Sequence, residues 1–260
     1  MPLTQEQKNC IRQIISNELK RKIQEFSEAE DMNKPFYFEL FSKKLVLTHA
    51  LLQSVFTWFG KKWEDFAEII AKDNFEIVKK EEKIKGRITP EERAKIDNIL
   101  DELDKGAREP DIEKEKREIL GIYNKQQEHE DVEQQVDMII NTADGNEYYI
   151  ESKSVKPNKN EIKAAKRDLL KIIAMRHKEQ DINKIHVFLV LPFNPYFSGN
   201  YRRWTVTKFF KLNKDLLVGE SFWDFIGGEG TYDDLLNVFR EIGNEIMPLF
   251  QATINRLSED

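Results

Sequence analysis

The sequence contains a single cysteine, Cys10, among its 260 residues. One thiol cannot form an intramolecular disulfide, which fits a reducing compartment and predicts a cytoplasmic location. A zinc site is disfavoured because the four histidines are scattered without the spacing of a ligand set. The glycines at positions 227, 228 and 230 are not followed by the Lys-Ser/Thr of a phosphate-binding loop.

Long apolar runs are also absent. The longest uncharged stretch, Leu45–Phe59, is too short to span a membrane and includes five polar residues, so it predicts a buried helix. The amino terminus has no basic segment followed by an apolar run, which predicts no signal peptide. Charged residues make up 34% and aromatic residues 11% of the chain. These values predict a soluble, folded protein of one large or two small domains, with no membrane partner.

The net charge of −6 is distributed unevenly along the chain. Residues 153–178 contain nine Lys or Arg against two acids, and residues 200–214 contain five against none. Residues 109–133 show the opposite balance, with nine acids against four bases. A positive strip beside an acidic pocket is typical of a metal-dependent enzyme that acts on a polyanion.

The middle of the chain is predicted to form a β-hairpin. Residues 135–141 and 147–153 are rich in Val, Ile and Tyr. The five residues between them include Asp144-Gly145, a strong hairpin signal. A five-residue loop places Asn141 opposite Glu147, which fixes the expected register of both strands.

This register brings three ionisable side chains together, because Asp137 lies opposite Glu151 and Lys153 shares their face. Like charges on neighbouring strands destabilise a sheet unless a positive group lies between them. A divalent metal would fill that role, since carboxylate oxygens are ligands that Mg²⁺ prefers. The alternative is an exposed sheet face with a lysine-balanced acid pair. Glu130 or Glu133, expected in the last turn of a preceding helix, would supply an additional carboxylate.

Helical patterns dominate the chain before the hairpin. Thr4–Phe26 has an amphipathic stripe, and Phe36–Asp73 is predicted to be helical with a break near Gly60. Gly86 is expected to mark a turn. Thr89 and Glu92 then form the capping box of a further helix, and the acidic segment 111–133 is expected to be an exposed helix.

A crossover connection is predicted after the hairpin. Asn158 and Glu161 form the capping box of a helix that extends to about Gln180. Ile185–Leu191 is an unbroken apolar run typical of a strand buried on both faces. We therefore expect an α/β (α+β) fold with a small mixed sheet. Three regions are predicted, which could form one compact domain: helical amino-terminal 1–125, catalytic core 126–215 and helical carboxy-terminal 216–260, packed on the core.

Basic residues after the hairpin indicate two candidate DNA-binding surfaces. Lys163, Arg167 and Lys171 recur every four residues on one helical face, a pattern compatible with phosphate contact or with simple solvation. The loop after the buried strand mixes arginine with aromatic residues, which suits a binding surface. The candidate DNA-contacting residues are Lys156, Asn158, Lys163, Arg167, Lys171, Tyr201, Arg202 and Arg203.

The D-x13-E-S-K spacing of Asp137, Glu151 and Lys153 resembles the PD-(D/E)xK nuclease signature, with Val136 where the proline would stand. Three further motifs are similar to the TdeIII-like family of type II restriction endonucleases, a branch of that superfamily. These motifs are E-S-K-S-V-K-P-N-K, N-P-Y with a following Y-R-R-W, and S-F-W-D-F-I-G-G with T-Y-D-D-L-L. The resemblance covers most of the chain.

The resemblance implies a restriction-endonuclease-like core and a Mg²⁺-dependent homodimer that cuts double-stranded DNA. Its substrate would be a short palindromic, G/C-rich site of the GGNCC type, with 5′-phosphate ends as products. Asp137, Glu151 and the backbone carbonyl of Ser152 would bind the metal, and Lys153 would orient the attacking water.

Three alternatives remain compatible with the sequence. Another PD-(D/E)xK nuclease, directed at repair or at RNA, would keep the site and change the substrate. A non-catalytic nucleic-acid-binding protein would use the acids only structurally. A helical scaffold protein is disfavoured by the local charge separation.

Overall fold

The computed structural model describes residues 2–26, 34–123, 128–196 and 199–256. Contacts divide the chain into two compact units, Met1–Ile69 with Glu229–Asp260, and Ile70–Gly228. The predicted boundary at residues 125/126 lies outside the described residues, and the second unit includes all of the predicted core. Across the described ranges, no helix has the length and apolar character needed to cross a membrane.

The second unit contains both helices and strands, whereas the first unit is helical. In chain order the elements are α1 (Gln5–Glu25), α2 (Pro35–Leu40), α3 (Lys43–Gly60), α4 (Trp63–Ala71), β1 (Ile77–Ile88), α5 (Pro90–Lys105), α6 (Ile112–Ile122), β2 (Glu130–Asn141), β3 (Glu147–Ser152), α7 (Lys159–Arg176), a 3-10 turn (Ile182–Lys184), β4 (Ile185–Leu191), α8 (Trp204–Thr207), β5 (Leu216–Val218), α9 (Glu220–Gly227) and α10 (Thr231–Arg256).

The first unit is held together by packing of apolar and aromatic side chains. Trp63 stacks on Phe239 of α10 with a centroid distance of 5.8 Å, and Phe66 meets Trp63 edge-on at 5.9 Å. Aromatic pairs of this kind add to the free energy gained from burial alone. The break predicted near Gly60 is confirmed, since α3 ends there and α4 begins at Trp63.

The second unit contains a five-stranded mixed sheet in the order β1-β2-β3-β4-β5. The predicted hairpin register is confirmed, because Asn141 of β2 pairs with Glu147 of β3. The predicted crossover is confirmed too, since α7 connects β3 to the parallel strand β4. Buried residues of α7, including Leu169 and Ile173, pack in one core with Val187 of β4. The expected fold class is therefore correct.

Gly86 does not mark a turn, as the sequence predicted, because β1 runs through it and pairs it with Val132. A Cβ atom at position 86 would lie 2.8 Å from the Cβ of Met175 in α7. A glycine here permits close approach of a strand to the covering helix, which is one of the reasons for glycine inside strands.

The prediction of an exposed helix over residues 111–133 is wrong in the extent of the helix and in its exposure. Helix α6 ends at Ile122, and β2 already begins at Glu130. Within α6, Glu115 is fully buried and lies 2.7 Å from the Lys166 ammonium, which also contacts Asp215 at 2.7 Å. The acidic character of this segment therefore reflects in part a buried ion cluster, and a buried charge needs such partners.

Candidate active site

The sheet forks at Asp137. Strand β2 pairs with β3 only over Met138–Asn141, whereas its amino-terminal half pairs with β1 alone. The backbone N–H of Ser152, at the end of β3, donates to Asp137 Oδ2 at 2.7 Å. A side-chain oxygen thus replaces the carbonyl that a continued ladder would provide. This hydrogen bond fixes the Asp137 carboxylate beside the end of β3, as the predicted register requires.

A strained residue on β1 lies across from Asp137. Glu81 has φ of 52° and falls between the pairs Lys80↔Met138 and Glu82↔Val136. A non-glycine residue in the left-handed region is uncommon and costs roughly 1–2 kcal/mol. The strain accompanies a change of face in β2, because Val136 and Ile139 both contact the same core although they are three residues apart. The fork is therefore built into two strands.

The Lys153 ammonium connects the candidate ligands. Its Nζ atom donates to Glu151 Oε1 at 2.5 Å and to the Ser152 carbonyl oxygen at 3.1 Å. The backbone of Lys153 is anchored to β4, because its N–H donates to the Val190 carbonyl at 3.1 Å. The side chain of Glu151 is only 14% exposed. One cation thus lies against two of the three oxygen groups that the sequence predicted as metal ligands.

Glu151 is the carboxylate with the unusual protonation behaviour. Burial raises the pKa of Glu151 above the ordinary 4.5, and the nearby negative charge of Asp137 raises that pKa further. Lys153 opposes both effects without cancelling them. A carboxylate whose charge is only partly compensated by the protein favours an additional cation.

The donor set fits magnesium. Two carboxylates and a carbonyl are hard oxygen ligands, and the Lys153 ammonium shows that the Glu151 and Ser152 oxygens can converge on one positive group. In the part of the chain that the structure describes, no group of three or more His, Cys, Asp or Glu side chains could ligate a metal by itself. The Ser152 carbonyl, water and substrate oxygens would therefore complete the coordination shell.

Asp168 of α7 is an acid near the site that the sequence analysis missed. Its negative charge contributes to the raised pKa of Glu151, and its carboxylate lies 3.4 Å from the Lys171 ammonium. The signal available in the sequence was its position as one of two acids within the basic stretch 153–178.

Glu130 and Glu133 are not brought to the fork. Both lie in β2 and not in the last turn of a helix, so the premise for assigning them was wrong. Glu133 is four residues from Asp137 along the strand, roughly 13 Å. Its carboxylate pairs with Lys83 at 2.7 Å, and Glu130 pairs with Arg93.

The basic face of α7 lies against acidic residues of α5. Lys163 contacts Asp101 at 3.0 Å and Asp104 at 3.3 Å, and Arg167 contacts Asp97 at 3.3 Å. These positive charges therefore already have partners within the unit. Of the other candidates nearby, Lys156 is exposed, and the Asn158 side chain caps α7 by accepting from the Glu161 N–H at 3.0 Å.

The three candidate DNA-contacting residues in the loop after β4 have different environments. Tyr201 is buried, and its hydroxyl donates to the Val155 carbonyl at 2.9 Å, so it braces the segment that follows β3. Arg202 is exposed and lies over the Tyr196 ring at 5.0 Å. Arg203 precedes α8, and its buried Nε has no hydrogen-bond partner among the described residues.

The structure also shows a basic row on β1 that the sequence analysis did not find. Lys83, Lys85 and Arg87 are all exposed and lie on one face of the strand. Alternation of Lys83, Lys85 and Arg87 with Ile84, Gly86 and Ile88 was the signal, because period two is typical of a half-buried strand. β1 pairs with β2 on both sides of Asp137, so the row extends from the fork.

Comparison with known proteins identifies the family. A family model described as type II restriction endonuclease, HinfI, matches residues 3–243. The chain belongs to this HinfI family of type II restriction endonucleases. Among curated relatives, the type II restriction enzyme HgiCII of Herpetosiphon aurantiacus is 26% identical over 216 residues, covering 81% of this chain and 77% of the relative. HgiEI of the same organism is 24% identical over 246 residues, covering 90% and 89%.

A third relative, from another organism, matches a shorter part of the chain. MjaII, a type II restriction enzyme of Methanocaldococcus jannaschii, is 26% identical over 163 residues, or 58% of this chain and 44% of the relative. Membership of the HinfI family makes the protein an endodeoxyribonuclease, a hydrolase of phosphodiester bonds. The expectation of a restriction endonuclease is thereby confirmed, and the scaffold and non-catalytic alternatives are set aside.

Proposed function

We propose that this HinfI-family enzyme is a PD-(D/E)xK nuclease that hydrolyses DNA with Mg²⁺ at Asp137, Glu151 and Lys153. The observation that supports this best is the Lys153 ammonium, which donates to Glu151 Oε1 and to the Ser152 carbonyl. Asp137 is tied to the same residue through the Ser152 N–H. Two carboxylates, a carbonyl and an amine therefore meet at the end of β3.

The chemistry supplied by bound magnesium is Lewis acidity toward the scissile phosphate and the attacking water. Asp137, Glu151 and the Ser152 carbonyl would orient that cation. With the carboxylates neutralised by a divalent cation, the Lys153 ammonium would be available to orient the attacking water and to donate to the phosphate oxygens, where negative charge develops. The attacking water would lose a proton to solvent as its oxygen bonds to phosphorus and the P–O3′ bond breaks; the 3′ oxygen would take a proton from solvent, and the 5′-phosphate would remain.

Exposed basic residues near the fork are proposed to contact DNA. The β1 row, Lys156 and Arg202 have side chains open to solvent and would neutralise phosphates, which dominate affinity. Arg202 or Arg203 would also read a guanine edge, for which a forked guanidinium is well shaped. Contact of Lys163, Arg167 and Lys171 with phosphate remains a prediction from sequence, because each has an acidic partner.

The substrate is proposed to be a short palindromic, G/C-rich site of the GGNCC type, as in the TdeIII-like branch that the motifs resemble. A palindrome read by one polypeptide favours a two-fold homodimer, since each half-site then meets an identical surface. A cytoplasmic enzyme of a restriction-modification system fits this role and the single exposed cysteine.

Digestion of unmethylated DNA tests the proposal. Purified protein is incubated with DNA and Mg²⁺, with and without a chelator, and the fragment ends are sequenced. We expect defined ends with 5′-phosphates at one palindromic site and no cleavage with chelator. Asp137→Asn and Lys153→Ala should each abolish cleavage without unfolding the protein. Cleavage that persists in chelator, or in either variant, would exclude this site.

A further inference from the structure

Helix α3 is uncharged on its outer face and has large apolar residues there as well as on its inner face. The inner side is buried through Leu47, Ala50, Leu51 and Val55. The outer side presents Leu45 and Phe56 together with the polar residues His49, Gln53 and Thr57, and no residue from Leu45 to Gly60 is charged. A surface helix normally carries charged or polar residues on its solvent face, whereas this face has no charge and exposes large apolar side chains. Only one side of α3 is covered by the described residues of its unit.

Helix α2 continues the same surface. None of its residues is buried, although five of the six are apolar or aromatic. Phe36 is 82% exposed and Leu40 is 74% exposed. These two residues are four apart, so they project from one side of the helix. Burial of such side chains inside the monomer does not explain why the sequence places them here.

A cavity lies next to these projecting side chains. It has a volume of about 470 Å³ and is lined by Lys34, Tyr37, Phe41, Leu45, Val46 and His49. That volume lies within the range of pockets that bind drug-sized ligands, roughly 300–1,000 Å³, and leaves room for apolar side chains of a partner. Projecting apolar groups and an apolar cavity thus occur on one surface, which we call the α2–α3 surface.

The area of the α2–α3 surface is large enough for a stable interface. The exposed parts of Phe36, Tyr37, Phe41 and Phe56 amount to roughly 500 Å² if a whole aromatic side chain contributes about 200 Å². Exposed apolar patches on monomers seldom exceed roughly 300–600 Å² and are often functional. A standard interface buries about 800 Å² per partner. The aromatic residues alone supply more than half of that, before Leu40 and Leu45 are counted.

We propose that the α2–α3 surface is the homodimer interface, and that its occupant is the same surface of a second copy of this chain. In a two-fold interface the same patch faces itself, so each copy must supply both the projecting group and the recess. Phe36 and Leu40 of one copy would enter the cavity beside Tyr37 and Leu45 of the other. The two-fold symmetry rests on the palindromic substrate proposed above, whereas the apolar surface is independent of it.

The absence of charge along α3 favours this occupant. Lys34, Glu39, Lys43 and Lys44 are the charged residues from position 34 to position 60, and all lie at or before the start of α3. Two copies of the α3 stripe would therefore meet without like-charge repulsion, with charges confined to the rim. Charge depletion at the centre with aromatic enrichment is the composition of interface cores.

Sedimentation velocity of the full chain tests this assignment. We expect wild-type protein at micromolar concentration to sediment as a dimer of the 30.8 kDa chain. Leu40→Asp and Phe56→Asp should each sediment as folded monomers, because a charge would be buried unpaired in the interface. Met247→Asp is the matched control, since Met247 is 58% exposed on α10 of the same unit. It should remain a dimer.

Cleavage of supercoiled plasmid separates this proposal from the proposed function. For the monomeric variants, double-strand cleavage should fall at limiting protein and recover as concentration rises, whereas Met247→Asp should match wild type. A wild-type monomer, or a dimer unaffected by Leu40→Asp and Phe56→Asp, overturns the assignment. Binding of a small amphiphile to a monomeric wild type overturns it too. A dimer that these substitutions split but that never cuts DNA supports the interface and refutes the nuclease proposal.

Discussion

Glu147 and Glu151 occupy the same strand and the same face, four residues apart, yet the protein treats their charges in opposite ways. Glu147 accepts two hydrogen bonds from the Arg176 guanidinium, at 2.7 and 3.0 Å, and a third from the Tyr149 hydroxyl at 2.6 Å. Burial acts to raise the pKa of Glu147, but these donors prevail and lower it. Glu151 has one ammonium and a neighbouring acid, and its pKa is raised.

The difference is what we expect if one strand provides both a structural carboxylate and the proposed functional one. A forked guanidinium and a hydroxyl complete the needs of a buried carboxylate, because charge-assisted hydrogen bonds are the strong ones. The Glu147 group has little left to offer a ligand. The negative charge of Glu151 is only partly compensated by Lys153, and the nearby charge of Asp137 at the fork makes an additional cation more favourable. Predictions can therefore test whether compensation within the protein decides which acid binds metal.

The largest expected effect is loss of cleavage in Glu151→Gln. Removal of a metal ligand should reduce the single-turnover rate by roughly 10³-fold or more, the scale seen when transition-state charge stabilisation is lost. Glu147→Gln should cleave at a rate close to wild type once corrected for the folded fraction. Single-turnover cleavage of a short cognate duplex measures both. Equal losses in the two variants would end the distinction between the two acids.

Stability should respond in the reverse order. Glu147→Gln leaves the Arg176 guanidinium without its forked partner and should lower the free energy of unfolding by roughly 2 kcal/mol. Glu179→Gln is the matched control, because Glu179 also contacts Arg176 but is 61% exposed. Its effect should stay within about 0.5 kcal/mol. Urea unfolding at neutral pH gives both values, and a control as damaging as Glu147→Gln would contradict the structural role.

The pH dependence should have opposite signs for the two acids. The folded-state pKa of Glu147 is lowered from 4.5, so its stabilisation is present above the unfolded pKa and lost as pH falls through the folded pKa. The folded-state pKa of Glu151 is raised from 4.5, so stability is lost as pH rises from the unfolded pKa through that folded pKa. Urea unfolding between about pH 4 and pH 8 should therefore show Glu151→Gln gaining stability over wild type as pH rises.

Under the same series, the deficit of Glu147→Gln should shrink as pH falls below about 5. Parallel pH profiles for the two variants would mean that both carboxylates are compensated alike. The proposed assignment of Glu151 to a metal would then lose its electrostatic basis.

The local parts of this arrangement could be predicted from the sequence, and the non-local parts could not. The register that pairs Asn141 with Glu147 and ends at Met138 and Ile150, next to Asp137 and Glu151, follows from the alternation of two adjacent strands and a five-residue loop. β1 was missed because its residues are mainly Lys and Glu, and its partner strand follows only after α5 and α6. The strand forms because it pairs with β2 across that separation, and not because its residues have a high intrinsic β-propensity. Such dependence on context is common for β-structure.

The ion pairs that compensate the basic residues of α7 could not be predicted from the sequence either. The acids of α5 that contact Lys163 and Arg167 are more than 50 residues away from them in sequence. The strained Glu81 on β1 is likewise more than 50 residues from the face change in β2 that lies opposite it. A helical repeat of basic residues shows that they share a face but not what lies against that face. The sequence could therefore name candidate residues for the site without showing which charges are already matched.

Magnesium should stabilise one variant and not the other. Ligand that binds only the folded state raises stability by RT ln(1 + [L]/Kd), about 1.4 kcal/mol at ten times Kd. Wild type and Glu147→Gln should both gain in Tm when Mg²⁺ is added, and Glu151→Gln should not. Thermal unfolding in the absence of DNA provides a readout independent of cleavage. A shift retained in Glu151→Gln would place the cation elsewhere.

The smallest expected effect extends the comparison from acids to bases. Lys163 contacts two acids of α5, whereas the Lys85 side chain is 81% exposed and its nearest acid, Glu133, is 4.0 Å away. Lys85→Ala should make log K less steep against log salt by roughly one unit, as expected for one lost phosphate contact. Lys163→Ala should change the slope much less, because its charge is already matched. Fluorescence anisotropy with a Glu151→Gln background avoids cleavage during the titration. If Lys163→Ala reduces the slope as much as Lys85→Ala, then Lys163 exchanges its α5 partners for a DNA phosphate. Ion pairing within the protein would then not distinguish structural charges from DNA-binding charges.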